Sequence, residues 1–268
     1  MKSPGAVAFS IFGFDIMWYA LFVTAGIAVS CSLIYHRGPR HGINKDRTLS
    51  MILLILIAGI VGLRAYYVAF RWDYYSVHPG EIFNYRGGGL AIHGGLIGGT
   101  LMGLILCKLY KENAWNVFDL CFACVPIGQA IGRWGNFFNS EAHGPLAPGG
   151  WPFYVVVDGQ HYHATFLYES VWCLLLFFLL MYIDGRRRFK GQVFLLYWIL
   201  YSAERFVVEG MRTDSLYVTL PFGQYKIAQV VSLVAAVCAL VVYVIKSSKR
   251  RSGGASRGRG RKGATGRA

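Results

Sequence analysis

The chain has 268 residues, of which 55% are hydrophobic, 16% aromatic and only 15% charged, against about 25% charged in an average soluble domain. That composition belongs to a membrane protein and excludes an ordinary water-soluble enzyme. The formal net charge of +14 suggests nucleic acid at first, but a basic segment beside a transmembrane helix is accounted for by anionic lipid and by topology, so no nucleic-acid partner is expected.

Apolar stretches able to cross about 30 Å of hydrocarbon as helix fall at 13–35, 51–70, 91–107, 115–131, 166–183, 192–208 and 227–245. They predict an all-α integral membrane protein, a bundle of about seven transmembrane helices. The first stretch is too long for a signal-peptide core, follows a single Lys and lacks an A-x-A cleavage pattern, so it is expected to stay as an anchor. The fourth is interrupted by Asp119, Pro126 and Gln129, groups tolerated at membrane depth only where they face protein or a water-filled cavity. It is expected to face inward. Between the fourth and fifth stretches, 134–165 carries neither Lys nor Arg and is rich in Gly, Pro, His and aromatic residues, which predicts a compact external arm or lid. Within it, Trp151 to Val157 followed by Asp158-Gly159 predicts a small hairpin.

Lys and Arg alternate between loops, and that asymmetry predicts the orientation. One set holds Arg37, Arg40, Lys45, Arg47, Lys108, Lys111, Arg186, Arg187, Arg188, Lys190 and nine residues from Lys246 to Arg267; the other holds Lys2, Arg71, Arg86 and Arg212. The N-terminus is therefore expected outside and the C-terminus in the cytoplasm, with 1–246 as one catalytic domain and 247–268 as a disordered basic tail. The six cysteines all fall in apolar stretches and predict packing, without a disulfide framework. His161 and His163 form an H-x-H pair, but no further zinc spacing is present and H-E-x-x-H is absent, so neither a metal nor another cofactor is expected.

Three constellations carry chemistry. Gly87 to Gly99 leads into the third stretch and includes His93, with Gly95, Gly99 and Gly103 at small-x-x-x-small spacing for close helix approach. At the N-terminal end of its helix, the macrodipole favours a neutral His93 able to accept a proton. The alternative is a histidine hydrogen-bonded between helices. Gly132 to Gly144 closes the fourth stretch: Gly128, Gly132 and Gly135 form a stripe at i, i+4 and i+7, and Arg133 lies a turn from Asn136 on another face. A buried Arg133 needs an anion, supplied either by Glu141 or a neighbouring carboxylate, or by a lipid phosphate, which suits the guanidinium fork. Arg205, Glu209 and Arg212 fall at i, i+4 and i+7 of the sixth stretch, with Tyr201 on the same face. They predict an internal ion-pair ladder to which a bound phosphate can add.

These residues together resemble the prolipoprotein diacylglyceryl transferase family. Gly132 to Gly144 matches its G-R-x-G-N-F-x-N-x-E-x-x-G signature and His93 to Gly98 its H-G-G-L-I-G element; Trp18-Tyr19, Arg64, Leu167 to Glu169, Arg205 to Arg212 and Gln229 extend the resemblance through all but the tail. It implies a seven-span enzyme of the bacterial inner membrane. The implied reaction displaces glycerol phosphate from phosphatidylglycerol with the lipobox cysteine thiol of a prolipoprotein signal peptide. It also implies that His93 serves as base and that Arg133 and Arg205 clamp phosphate, all three catalytic. Tyr19, Arg64, Asn136, Asn139, Glu141, Gly144, Glu209 and Arg212 would then bind substrate or orient the arginines. The nucleophile comes from the substrate, so the enzyme needs no cysteine of its own. Two departures stand out. Ala164, Thr165 and Phe166 occupy positions where the family has a proline and a glutamine, which removes any role for that glutamine. Glu204 replaces an apolar residue, either retuning Arg205 or pointing to the headgroups. A small-anion channel or transporter is a competing reading, which the lack of an internal repeat disfavours. So is a metal-dependent headgroup transferase, which lacks its aspartate cluster.

Overall fold

A computed structural model describes residues 1–85, 88–212, 217–220 and 223–262. Arg86, Gly87 and 263–268, which figured in the expectations above, lie outside the described residues. The chain forms two compact units, one of 1–30 with 121–268 and one of 31–120. Among the described residues the long helices are α1 (Trp18–Arg37), α2 (Lys45–Phe70), α4 (Ile92–Leu109), α5 (Ala114–Phe138), α6 (Thr165–Asp184), α7 (Gln192–Met211) and α8 (Ile227–Lys262), with a single-turn α3 (Trp72–Tyr75). All but α3 and α7 are long and apolar enough to cross a membrane. The protein is a multi-pass membrane protein.

The first stretch does not begin as helix at 13. Residues before Trp18 form a hairpin of β1 (Val7–Ile11) and β2 (Phe14–Met17). Phe12 and Gly13 both take positive φ at its tip, the turn geometry that joins two antiparallel strands by the shortest loop. The all-α expectation is corrected further by two more hairpins, β3 (Tyr154–Val157) with β4 (Gln160–His163), and β5 (Tyr217–Leu220) with β6 (Gly223–Lys226). Of these, the β3–β4 pair is the one predicted in the arm. Helix α8 continues to Lys262, into the segment expected to be disordered from 247. Extending an existing helix adds one hydrogen bond per residue fixed and needs no new nucleus.

In the larger unit the stripe on α5 packs against α1. A Cβ at Gly128 would meet the Gly26 carbonyl, one at Gly135 would meet Tyr19, and Gly132 lies beside Val23. The two helices therefore run antiparallel with their backbones nearly touching. The inward-facing expectation for the fourth span holds. Its apolar window is 44% buried, against 11–33% in the other spans. Asp119 and Pro126 are fully buried, and Gln129 donates to the Tyr197 hydroxyl at 2.9 Å. The arm has its own core of Phe137, Val155, Ala164 and Phe166. The N-terminus is tied into it, the Met1 amino group donating to the Tyr154 carbonyl at 2.7 Å and Ser3 Oγ to the Phe138 carbonyl at 2.9 Å.

The smaller unit is built on α2 against α4. Asn44 caps α2, its side chain accepting from the Arg47 amide at 2.8 Å, which satisfies one of the open amides of the first turn and starts the helix earlier than the apolar run alone indicates. The close approach of α4 runs through Gly94 and Gly98, where a Cβ would strike the backbone at Gly62 and Ala58. Gly95, Gly99 and Gly103, the glycines expected to make it, face Leu63 and Ile55 side chains and have more room.

Candidate active site

The larger unit gathers charge on α5, α6 and α7. Glu169, one turn into α6 and 1% exposed, takes Arg133 Nη2 at 2.6 Å and Arg205 Nη1 at 3.1 Å on the same oxygen, Oε2. Arg205 Nη2 reaches Glu209 Oε2 at 2.6 Å, and Arg133 Nη2 lies 3.4 Å from the Tyr201 hydroxyl. The ladder expected along α7 is therefore present from Arg205 to Glu209, and it is joined to Arg133 of another helix through Glu169. Glu169 was named at the sequence level only as part of a motif. Nothing in helical spacing pairs it with Arg133, because the two meet across helices.

Glu141 is not the partner of Arg133. Its Oε1 accepts from Asn136 Nδ2 at 2.9 Å and Asn139 Nδ2 at 3.3 Å. Ser140 and Ala142 on either side take positive φ, so the chain doubles back tightly after α5 and returns the carboxylate to the helix end. Gly144 follows, its amide donating to the His163 carbonyl at 3.0 Å, with no space for a side chain between His163 and Thr165. The Thr165 hydroxyl donates to the Ala142 carbonyl. The departure at 164–166 is thus absorbed by the arm, since Ala164, Thr165 and Phe166 are all buried in it. Tyr19 packs on Gly135 and stays 41% exposed, while Trp18 stacks on Phe138 with ring centroids 4.9 Å apart.

At the end of α7, Lys226 Nζ donates to the carbonyls of Glu209 and Arg212 at 2.8 and 2.7 Å, closing a helix terminus whose last carbonyls have no partner within the helix. Gln229 Nε2 adds a bond to the Phe206 carbonyl at 3.0 Å. Glu204 does not point to headgroups. It is buried, and neither of its oxygens has a hydrogen-bond partner among the described residues.

The arginines keep donor capacity. Arg133 and Arg205 side chains are 19% and 18% exposed, against 1% for the Glu169 that holds them. Each guanidinium has five N–H groups, and the ladder uses a minority of them. An anion on the open side can therefore take further hydrogen bonds while a carboxylate fixes the geometry behind.

In the smaller unit Arg64 has a different environment. It is 4% exposed and donates to four carbonyls: Nε to Ile82 at 2.7 Å, Nη2 to Glu81 at 2.6 Å, and Nη1 to Gly88 and Gly89 at 3.0 and 2.9 Å. Tyr75 covers it, the guanidinium carbon 5.1 Å from the ring centroid. Gly88 and Gly89 take positive φ, and a Cβ at 89 would strike Arg64 and Tyr67, so glycine is what lets the loop wrap this arginine. In the same loop Tyr74 donates to Glu81 Oε2 at 2.9 Å, and the carboxylate pushes its phenol up from the ordinary value. His93 is the second residue of α4. It is exposed, with its ring 6.2 Å from that of Tyr66, and no hydrogen bond to the ring is formed among the described residues. That differs from a histidine bonded between helices.

A family model for prolipoprotein diacylglyceryl transferase matches residues 6–245. A phosphatidylglycerol–prolipoprotein diacylglyceryl transferase of Clostridioides difficile is 42% identical over 92% of this chain and 97% of its own. The protein of that name from Finegoldia magna is 43% identical over 91% and 96%. One from Bacillus velezensis is 38% identical over 91% and 92%.

Proposed function

We propose, since the chain belongs to the prolipoprotein diacylglyceryl transferase family, that the exposed sides of Arg133 and Arg205 are where its lipid substrate is held and cleaved. The protein is a transferase that moves the diacylglyceryl group of phosphatidylglycerol to a prolipoprotein in lipoprotein maturation. The acceptor is the lipobox cysteine thiol. The sulfur attacks the diacylglycerol carbon that bears the phosphate, a C–S bond forms and the C–O bond breaks. Glycerol phosphate departs with the electron pair.

Charge gathers on the phosphate as that bond breaks, so donors already aimed at it favour the transition state over the ground state. The observation that carries this reading is the single Glu169 oxygen shared by Arg133 and Arg205. It holds two forks in one place without consuming them. Glu209 orients Arg205, and Arg212 adds charge beyond it. Asn136, Asn139 and Gly144 form the headgroup side of the pocket, with Glu141 fixing both asparagines, and Tyr19 lines it. Arg64 serves by holding the loop before α4, since four carbonyls occupy its donors. His93, with an open ring, takes the thiol proton. A thiol of pKa about 8.5 is mostly protonated at neutral pH, so a base raises the reactive fraction.

In the bilayer, α7 completes seven spans. The N-terminus and the arm at 134–165 lie outside, and the C-terminus lies in the cytoplasm of a bacterial inner membrane, as the basic loops favour. The arm acts as a lid of the catalytic domain at 1–246. The charges of α7 are compatible with membrane depth because Arg205 pairs with both Glu209 and Glu169.

The test is transfer of label from phosphatidylglycerol with radiolabelled acyl chains to a lipobox peptide. Label is expected on the Cys peptide alone, with glycerol phosphate released. Label on a Cys→Ser peptide, or none on either from folded protein, would overturn the reaction. In the same assay His93→Ala is expected to lose about a hundredfold or more near neutral pH and to recover partly as pH rises and thiolate forms unaided. Unchanged transfer across about pH 6 to 9 removes the base role.

A further inference from the structure

We propose that the larger unit holds a second anionic-lipid site at the end of α7 opposite the arginine ladder, in the cavity where α6, α7 and α8 meet. The cavity has a volume of about 750 Å³, within the range of pockets that take small molecules. Its basic lining is Arg186 and Arg188 from the turn after α6 and Arg250 from α8; its walls are Tyr182, Phe189 and Tyr243.

Three features suit a phospholipid headgroup. The first is uncompensated charge. Among the described residues no Asp or Glu lines the cavity. The adjacent acid, Asp184, is buried and lies 4.0 Å from Arg187, which does not line it. Among the described residues no carboxylate pairs with Arg186, Arg188 or Arg250. The second is preparation of the site. The guanidinium carbon of Arg186 sits 4.0 Å from the centre of the Tyr182 ring, and the Arg188 amide donates to Gln192 Oε1 at 2.6 Å, so the turn carrying both arginines is fixed to the start of α7. Gly191 makes that turn possible with φ of 95°. The third is the wall. Phe189 and Tyr243 meet edge to face at 5.4 Å, an apolar surface for the glycerol and the first methylenes, with the arginines at the rim for the phosphate.

Basic pockets between transmembrane helices at the cytoplasmic surface suit anionic headgroups. The leaflet assignment rests on the orientation proposed above, whereas the phosphate chemistry does not. The site lies on the basic side, away from the residues proposed to do the chemistry, so its ligand is a bound lipid and not the one consumed. Its effect would be to brace α8 against the α6–α7 turn.

The experiment titrates the full chain in neutral detergent with dioleoyl phosphatidic acid, with phosphatidylcholine and with inorganic phosphate, as wild type and as R186Q/R188Q/R250Q. Phosphatidic acid is expected to bind the wild type and to lose about fivefold in affinity for each arginine removed, on the order of a hundredfold for all three. Equal binding by both proteins, or equal binding of phosphatidylcholine, overturns the site. Complete displacement by inorganic phosphate overturns lipid as the source of the phosphate. Arg133→Gln taken through the same titration must retain the component that the triple variant loses; if it does not, the binding belongs to the ladder. Should the triple variant not fold, each single Arg→Gln change carries the test with its fivefold loss. Transfer activity is read in parallel. Its absence from wild type would refute the function while leaving the titration to decide the cavity.

Discussion

Two arginines in this protein, one buried and one partly open, are held in opposite ways. Arg64 is surrounded by four backbone carbonyls, neutral acceptors that occupy its donors, with no carboxylate paired to it among the described residues. Arg133 is held by one carboxylate oxygen at 2.6 Å and a tyrosine hydroxyl, which balances its charge but leaves donors open. The difference separates a staple from a tool. A guanidinium spent on carbonyls organises a loop, whereas one braced from behind by a carboxylate is preorganised to meet an anion.

The largest test of that distinction is Arg133→Gln. Transfer per folded molecule is expected to fall about a hundredfold to a thousandfold, the usual range for losing one donor to developing charge. Measured activity after normalising to the folded fraction checks it, and a loss fully explained by unfolding would put Arg133 in the same class as Arg64. The next is Arg64→Gln, expected to destabilise the protein by about 2–3 kcal/mol, as buried carbonyls lose charge-assisted bonds. Activity of the molecules that remain folded should change little. A thermal melt alongside the assay separates the two arginines, and a catalytic defect without destabilisation would erase the contrast.

The smallest effect concerns Glu204, the buried acid with no hydrogen-bond partner for either oxygen among the described residues. Replacing it with Leu removes an unsatisfied buried group and is expected to stabilise the protein by about 1–2 kcal/mol with transfer unchanged. A drop in transfer of tenfold or more would instead make Glu204 part of the arginine machinery.

The distinction between the arginines was only partly visible in sequence. Long apolar runs gave away the helices, with α4, α6 and α8 beginning within a residue of where hydropathy places them. The Arg205–Glu209 pair followed from helical spacing, because i and i+4 meet on any helix. Glu169 did not, since its meeting with Arg133 depends on how α6 sits against α5. Arg64 was equally opaque: a lone arginine in an apolar run looks the same whether its partner is a phosphate or a carbonyl. The hairpins at β1–β2 and β5–β6 were missed because their short strands merge with the apolar or mixed segments beside them. The Asp158-Gly159 turn, with no such overlap, was found.

The sharing of Glu169 has a consequence for how the protein is made. A charged residue at the centre of a helix costs about 2.5–3.5 kcal/mol to insert, and α7, which carries Glu204, Arg205 and Glu209, does not reach the apolarity of its neighbours. Its partners Arg133 and Glu169 precede it in the chain. On the seven-span arrangement proposed above, α5 and α6 are made before α7 and offer it a counter-charge that lipid cannot. On that arrangement, this least hydrophobic of the spans enters the membrane by docking onto a site its predecessors have prepared.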